Sequence, residues 1–286
     1  MINFAKATWH PSVDLLFQGT PMTRVFCVSL VVALASYRPI HAQPSDPPKN
    51  FTNSIGMKFV WIPPGTFIMG SPKEEKERAA NETPHKVTLT KGFYMGVHTV
   101  TQEQWQAVMG NNPSHFKGER NLPVEMVSWN DCQKFIKKLL DKDKKPYRLS
   151  TEAEWEFCCR AGTTTPFFCG ETISTDQANY NGEITYGNGK QGERRGKTMP
   201  VGSFPANAWG LHDMHGNVWQ WCQDWYDDYS QNDVTDPRGP SEGKRRVVRG
   251  GGWSNIPGAC RSAYRAHPRS DDRDGHTGFR LCFSVK

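Results

Sequence analysis

Between Arg246 and Leu281 the chain reads RVVRGGGWSNIPGACRSAYRAHPRSDDRDGHTGFRL, and this stretch gathers the residue types best suited to chemistry. Cys260 is its only sulfur. A thiolate is both a nucleophile and a soft metal ligand, so Cys260 is the candidate catalytic group. The competing role is a disulfide or a packed structural cysteine. A single sulfur also sets a limit, because a soft-metal centre gripped by paired thiolates needs two. Arg249, Arg261, Arg265, Arg269, Arg273 and Arg280 supply guanidinium groups that can cradle an anion or a peptide. The alternative is salt bridges to Asp271, Asp272 and Asp274. Upstream, His212 and His215 flank Asp213. Their spacing suits a zinc pair, but no third ligand stands nearby, so solvent-facing loop histidines are expected.

The elements that position these groups are legible in outline. Thr101-Gln102-Glu103-Gln104, Ser128-Trp129-Asn130-Asp131 and Thr151-Glu152-Ala153-Glu154 each place a hydroxyl three residues before an acid or amide, ahead of apolar residues. That is the signature of a helix start. The second of these helices sets Cys132, Phe135 and Leu139 on one face, which makes Cys132 a buried apolar filler. Met57 to Ile62, Thr66 to Met69, His85 to Leu89, Phe93 to Val97, Gly216 to Trp221, Arg246 to Arg249 and Gly278 to Phe283 read as strands. Between Ala161 and His215, Gly, Thr, Asn and Pro interrupt every regular pattern. A loop region this long needs ions, disulfides or tryptophan clusters to hold it.

The ends and the bulk numbers bound the rest. Met22 opens a start with Thr23-Arg24, an apolar run from Val25 to Ala35, and small residues near Ala42. Residues 1–42 therefore read as an extended start plus an export signal, cleaved near Ala42. The run is too short to span a bilayer, and Cys27 sits inside it rather than at its end, so no stable membrane anchor is expected. Residues 43–52 read as a proline-rich linker and 53–286 as one domain. The formal charge of +6 falls to +4 once Lys6, Arg24, Arg38 and Asp14 are removed. That mild excess, without a concentrated basic face, excludes nucleic acid as a partner. Seven cysteines remain after cleavage, an odd number that leaves at least one thiol unpaired. The sequence does not fix the pairing; Cys159 with Cys282, leaving Cys260 reduced, is one arrangement.

Six segments, in order, carry a family resemblance. They are NSIGMKFVWIPPGTFIMGS from Asn53, PVEMVSW from Pro123, YRLSTEAEW from Tyr147, AWGLHDMHGNVWQWCQDW from Ala208, VVRGG from Val247 and GFRL from Gly278. Together they resemble the formylglycine-generating enzymes, or sulfatase-modifying factors. The resemblance implies an α+β sulfatase-modifying-factor variant of the C-type-lectin-like fold, poor in regular secondary structure. It implies a protein acting on, or binding, a protein or peptide partner such as a sulfatase. The family oxidases convert the cysteine of a Cys-x-Pro-x-Arg motif to formylglycine with oxygen, on copper(I) held by two cysteines five residues apart.

Against that pattern, Asn255 stands where the first cysteine would, and Cys260 matches the second. A carboxamide is a hard, weak ligand, so a two-thiolate copper site is not expected in this segment. If the chain is catalytic, Cys260 is the reactive thiol, with Asn255, Trp253, Arg261, Arg265 and Arg269 shaping a peptide groove. The other reading is a non-catalytic lectin-like binding module on the same scaffold. The resemblance also implies calcium at Asp213, Gly216, Val218 and Gln220, with Gln220 where the family usually has Glu. A second calcium set falls on Asn179, Tyr180, Glu193 and Arg195, with Tyr180 and Arg195 contributing carbonyl oxygens. Hard calcium suits such all-oxygen sets.

Overall fold

The computed structural model describes residues 47–285. The export signal, Met22 and the cleavage near Ala42 lie outside the described residues. Strand β1 (Asn50–Thr52) pairs antiparallel with β2 (Lys58–Ile62), and Phe51 lies against Phe59 and Phe283. The linker reading therefore fails for residues 50–52: an aromatic at position 51 anchors them to the sheet. β3 (Gly65–Met69) and β4 (His85–Leu89) form a hairpin bridged by the charged loop 71–84, and β5 (Phe93–Gly96) returns to β2.

Three helices follow as the hydroxyl signals require. Thr101 caps α1 (Gln102–Met109), Ser128 caps α2 (Trp129–Asp143) and Thr151 caps α3 (Glu152–Arg160). Each makes the reciprocal capping box, with Gln104, Asp131 or Glu154 bonding back to the cap amide. Each helix ends on a left-handed residue: Gly110, Lys144 or Ala161. α2 buries Cys132, Phe135, Ile136 and Leu139, as its spacing predicts. Two-residue β6 (Arg148–Leu149) precedes α3.

From Ala161 to Val218 no helix or strand forms. The later half contains β7 (Trp219–Trp225), β8 (Val234–Thr235), β9 (Arg246–Arg249), a 3-10 turn (Pro257–Cys260), β10 (Thr277–Phe279) and β11 (Leu281–Phe283). The expected strand from Gly216 starts only at Trp219, because Gly216 and Asn217 have φ of 75° and 67°. The expected strand 278–283 breaks at Arg280. β10 pairs with β7 in a sheet ordered β10-β7-β9, whereas β11 enters a sheet ordered β1-β2-β5-β11-β6. A third sheet runs β3-β4-β8.

Tryptophans tie these layers together. Trp155 and Trp221 are fully buried, and each donates its indole N–H, to Gln220 Oε1 and to the Val127 carbonyl respectively. Burying one large aromatic contributes about 1.5–3 kcal/mol, and the paired N–H avoids a desolvation penalty of similar size. The architecture is mixed α+β with little regular secondary structure, as the sequence indicates.

Candidate functional site

β9 delivers Arg249 to a Gly250-Gly251-Gly252 turn, and Trp253 to Asn255 loop back over it. Asn255 Oδ1 accepts the Gly252 amide at 3.0 Å and the Trp219 indole N–H at 2.9 Å. Its backbone carbonyl accepts the Asn181 amide. The carboxamide is therefore a knot joining the turn, β7 and the long loop. Trp253 donates Nε1 to the Gly275 carbonyl and meets Phe116 edge-on.

Cys260 closes the 3-10 turn and is completely buried, beside Phe167, Tyr180 and Tyr186. Its Sγ lies 3.8 Å from the Ile256 carbonyl. Burial, then nearby Cys159, pushes the thiol up to about 12. A thiol that stays protonated and out of contact with solvent is a poor nucleophile and a poor metal ligand. All seven described cysteines are free thiols, so the Cys159–Cys282 pairing is not made. Cys159 instead faces Ser262 Oγ at 3.5 Å and His215 at 3.8 Å.

His215 departs from the solvent-facing expectation. It is buried, with Nδ1 on the Cys260 carbonyl at 2.7 Å and Nε2 accepting the Phe168 amide at 3.0 Å. Burial lowers it to about 4, so the ring is neutral. His212 stacks on His98 and bonds the Phe204 carbonyl.

The arginines divide. Arg249, Arg261, Arg265 and Arg280 are buried, and of these four Arg265 reaches a cavity wall. Their partners are not Asp271, Asp272 or Asp274. Arg261 grips both oxygens of Glu82 at 2.8 Å and Glu75 at 2.5 Å, which pins the 71–84 loop to the 3-10 turn. Arg265 makes a two-pronged pair with Glu152 at 2.6 and 2.8 Å. Arg249 bonds Glu156 and the carbonyls of Ser262, Ala263 and Tyr264. Burial pushes Glu152 up, but Arg265 and Arg249 outweigh it and hold the carboxyl below its usual range. Arg269 and Arg273 alone are surface groups, paired with Asp271 and Asp131. The glutamates were the missed partners. Glu152 and Glu156 stand four apart on a helix whose intervening Trp155 is buried, and that pattern carried the signal.

The two oxygen sets differ. Gln220 Oε1 already accepts Trp155 Nε1 at 2.9 Å and Arg280 Nε at 3.0 Å, and Gln220 Nε2 donates to the Asp213 carbonyl. Asp213 Oδ2 accepts the Gly202 amide, while Oδ1 is buried without a partner among the described residues. In the second set, Asn179 donates Nδ2 to the Lys197 carbonyl and Asn217 Oδ1. Its Oδ1 is buried and receives nothing among the described residues. Glu193 is mostly exposed and lies 3.3 Å from Arg195.

A groove of about 380 Å³ lies beside this region, walled by Trp219, Tyr264, His267, Pro268 and His276. Ile256, next to Asn255, and Ile184, close by through Asn181, are about half exposed.

Comparison with known proteins places this geometry. The profile described as "Sulfatase-modifying factor enzyme 1-like domain" matches residues 44–285. The chain belongs to this family of sulfatase-modifying factors, with its variant of the C-type-lectin-like fold. It is 33% identical to a Bos taurus protein named formylglycine-generating enzyme, over 78% of this chain and 74% of that one. It is 29% identical to a Chlamydia caviae protein named serine/threonine-protein kinase pkn1, over 80% of this chain. There the match spans only 38% of the relative's length. The solved structure of PvdO from Pseudomonas aeruginosa superposes with a TM-score of 0.72 at 28% identity, covering 84% of this chain and 100% of that one.

Proposed function

We propose that this chain is a ligand-binding member of the sulfatase-modifying-factor family. It takes a protein or peptide segment on the face around Trp253, Asn255 and the Trp219–Tyr264 groove, and it does not run a two-thiolate copper oxidation. The observation that carries this reading is the state of the two key positions. Asn255 has its carboxamide oxygen committed to Gly252 and Trp219, and Cys260 is a buried thiol pushed up to about 12. Copper(I) favours paired sulfurs, and here one position offers an amide and the other a sulfur without access. A half-exposed apolar rim beside aromatic walls suits a peptide carrying apolar side chains. A cysteine-containing sulfatase-type segment is the candidate ligand, on the strength of the family.

The test is incubation of the protein with a Cys-x-Pro-x-Arg peptide, copper(I) and oxygen, followed by an aldehyde trap. No aldehyde is expected, while tryptophan fluorescence reports saturable peptide binding. Aldehyde formed at a catalytic rate would overturn the reading.

We further propose calcium as a loop-stabilising ion at Asn179, Tyr180, Glu193 and Arg195. The unpartnered Asn179 Oδ1 supports this set, because a buried acceptor without a donor is costly unless a cation or water meets it. The Asp213–Gln220 set shares this feature through Asp213 Oδ1, but it fits calcium less well, since both acceptor positions of Gln220 Oε1 are taken by N–H donors. Export through residues 22–42 is the proposed route to the partner. Among the described residues, no helix is long and apolar enough to cross a membrane.

A further inference from the structure

A second cavity, of about 180 Å³, opens where the start of α3, the end of β7 and the loop 227–240 meet β4. Its polar groups are unbalanced. Asp224 is 5% exposed, and its Oδ2 accepts the Glu152 amide at 2.9 Å. The only other hydrogen bond to this carboxylate among the described residues comes from Asp224's own backbone amide, and the residue forms part of the cavity wall. His85, 8% exposed, holds the Thr83 carbonyl with Nδ1 at 3.0 Å. A carbonyl only accepts, so in the neutral ring Nδ1 carries the proton and Nε2 presents a lone pair. No described donor meets that lone pair.

The strongest donors on the same wall are largely committed, although Ser230 and Trp225 also line it. Arg265 gives its N–H groups to Glu152, Asn81 O and Asp227 O, and Tyr229 gives its hydroxyl proton to Glu152. Asp227 and Asp228 add carboxylates at the rim, while Met69 and Val234 supply apolar wall. Carboxylates outnumber the free cationic donors on this wall, which favours an occupant bearing several N–H groups. Among the described residues, no three His, Cys, Asp or Glu side chains converge closely enough to hold a metal ion. An organic cation satisfies the acceptors, and the apolar wall takes its carbon chain. We propose that this cavity is a binding site for a small primary alkylammonium group, held by Asp224 Oδ1 and His85 Nε2. A cavity of about 180 Å³ has room for a short alkyl chain.

Burial, and then Glu152, raise the Asp224 carboxyl to about 8. The charged and titratable groups around it are Glu152 and Glu154 from α3, Arg148 from β6, Arg246 from β9, Arg265, His85 and Tyr229 on the cavity wall, and Asp227 and Asp228 at its rim. Below that pH the carboxyl is protonated and offers no countercharge. Ammonium affinity therefore rises with pH up to about 8 and levels off above it.

Titration calorimetry with n-butylammonium chloride, with n-butanol as the neutral control, tests the site. Saturable binding near about 1 mM is expected at pH 8.5, tenfold or more weaker at pH 6.5, with no binding of butanol. Asp224→Asn keeps an oxygen for the Glu152 amide and should retain the near-ultraviolet dichroism of the fold while weakening binding at least tenfold. Should that variant fail to fold, His85→Gln gives the second arm, with weakened binding again expected. Absence of saturable heat up to about 50 mM would overturn the proposal. So would equal affinity for butanol, or an affinity unchanged in a folded Asp224 or His85 variant.

Discussion

A methyl group placed on Gly251 would lie 2.5 Å from the sulfur of Cys260. Gly251 also has φ of 73°, a region that side chains rarely enter. Backbone strain and overlap therefore add in Gly251→Ala, which is expected to cost about 2–4 kcal/mol. Cys260→Ala removes the sulfur overlap and leaves the double variant with the backbone strain and the tight approach to the Ala259 carbonyl at 3.0 Å. Urea unfolding of both single variants and the double variant should show the double to be less destabilised than the sum. Strict additivity would mean that the sulfur and the glycine do not meet.

Thiol reactivity should be graded by burial. Cys169 is half-buried, and burial pushes it up to about 11, whereas Cys260 is fully enclosed at about 12. Limited iodoacetamide labelling of the native protein at pH 8, read by peptide mass spectrometry, should modify Cys169 first and leave Cys260 until the protein unfolds. Early labelling of Cys260 would return it to the list of candidate nucleophiles.

His215 should make the fold acid-sensitive. Its folded value is about 4, below the unfolded 6.5, so between those values the unfolded chain binds the extra proton. The stability it contributes is full above pH 6.5 and is lost as pH falls toward 4. Asp224, raised to about 8, acts in the opposite direction, so the diagnostic quantity is a difference between variants. His215→Gln should be less stable at pH 7, and its deficit should shrink between pH 6.5 and 4. Denaturant midpoints across that window measure it, and a constant deficit would contradict the assignment.

Calcium at the Asn179 set should be visible as stability. Chelation is expected to lower the melting temperature, and millimolar calcium to restore it, by the mass-action stabilisation of a bound native state. Asn179→Ala should abolish the response and Gln220→Ala should leave it intact. A response lost only in the Gln220 variant would place the ion at the other set.

How much of this was legible follows from the range over which each interaction acts. The three helix starts were readable because Thr101, Ser128 and Thr151 bond partners only three residues away. β4 and β9 were readable because local alternation and β-branched residues set them. β6 and β8, two residues each, carry too little pattern to be seen. The arginines near Cys260 were readable as a cluster but not in their orientation. Arg261 finds Glu82 from 179 residues away, and no local spacing encodes that pair. The same limit hid the burial of His215, whose partners Cys260 and Phe168 lie far along the chain. Asn255 was readable as a departure from a family pattern, whereas its two hydrogen bonds became visible only in the fold.

The break at Arg280 sends two adjacent strands into different sheets, with β10 beside β7 and β11 between β5 and β6. Neither sheet is complete until residues 277–283 have arrived. During synthesis the nascent chain must therefore wait, with Phe59, Phe93 and Trp221 uncovered, until this segment has left the ribosome. Such late, long-range closure makes folding slow, and it makes the waiting chain a natural client for holding chaperones.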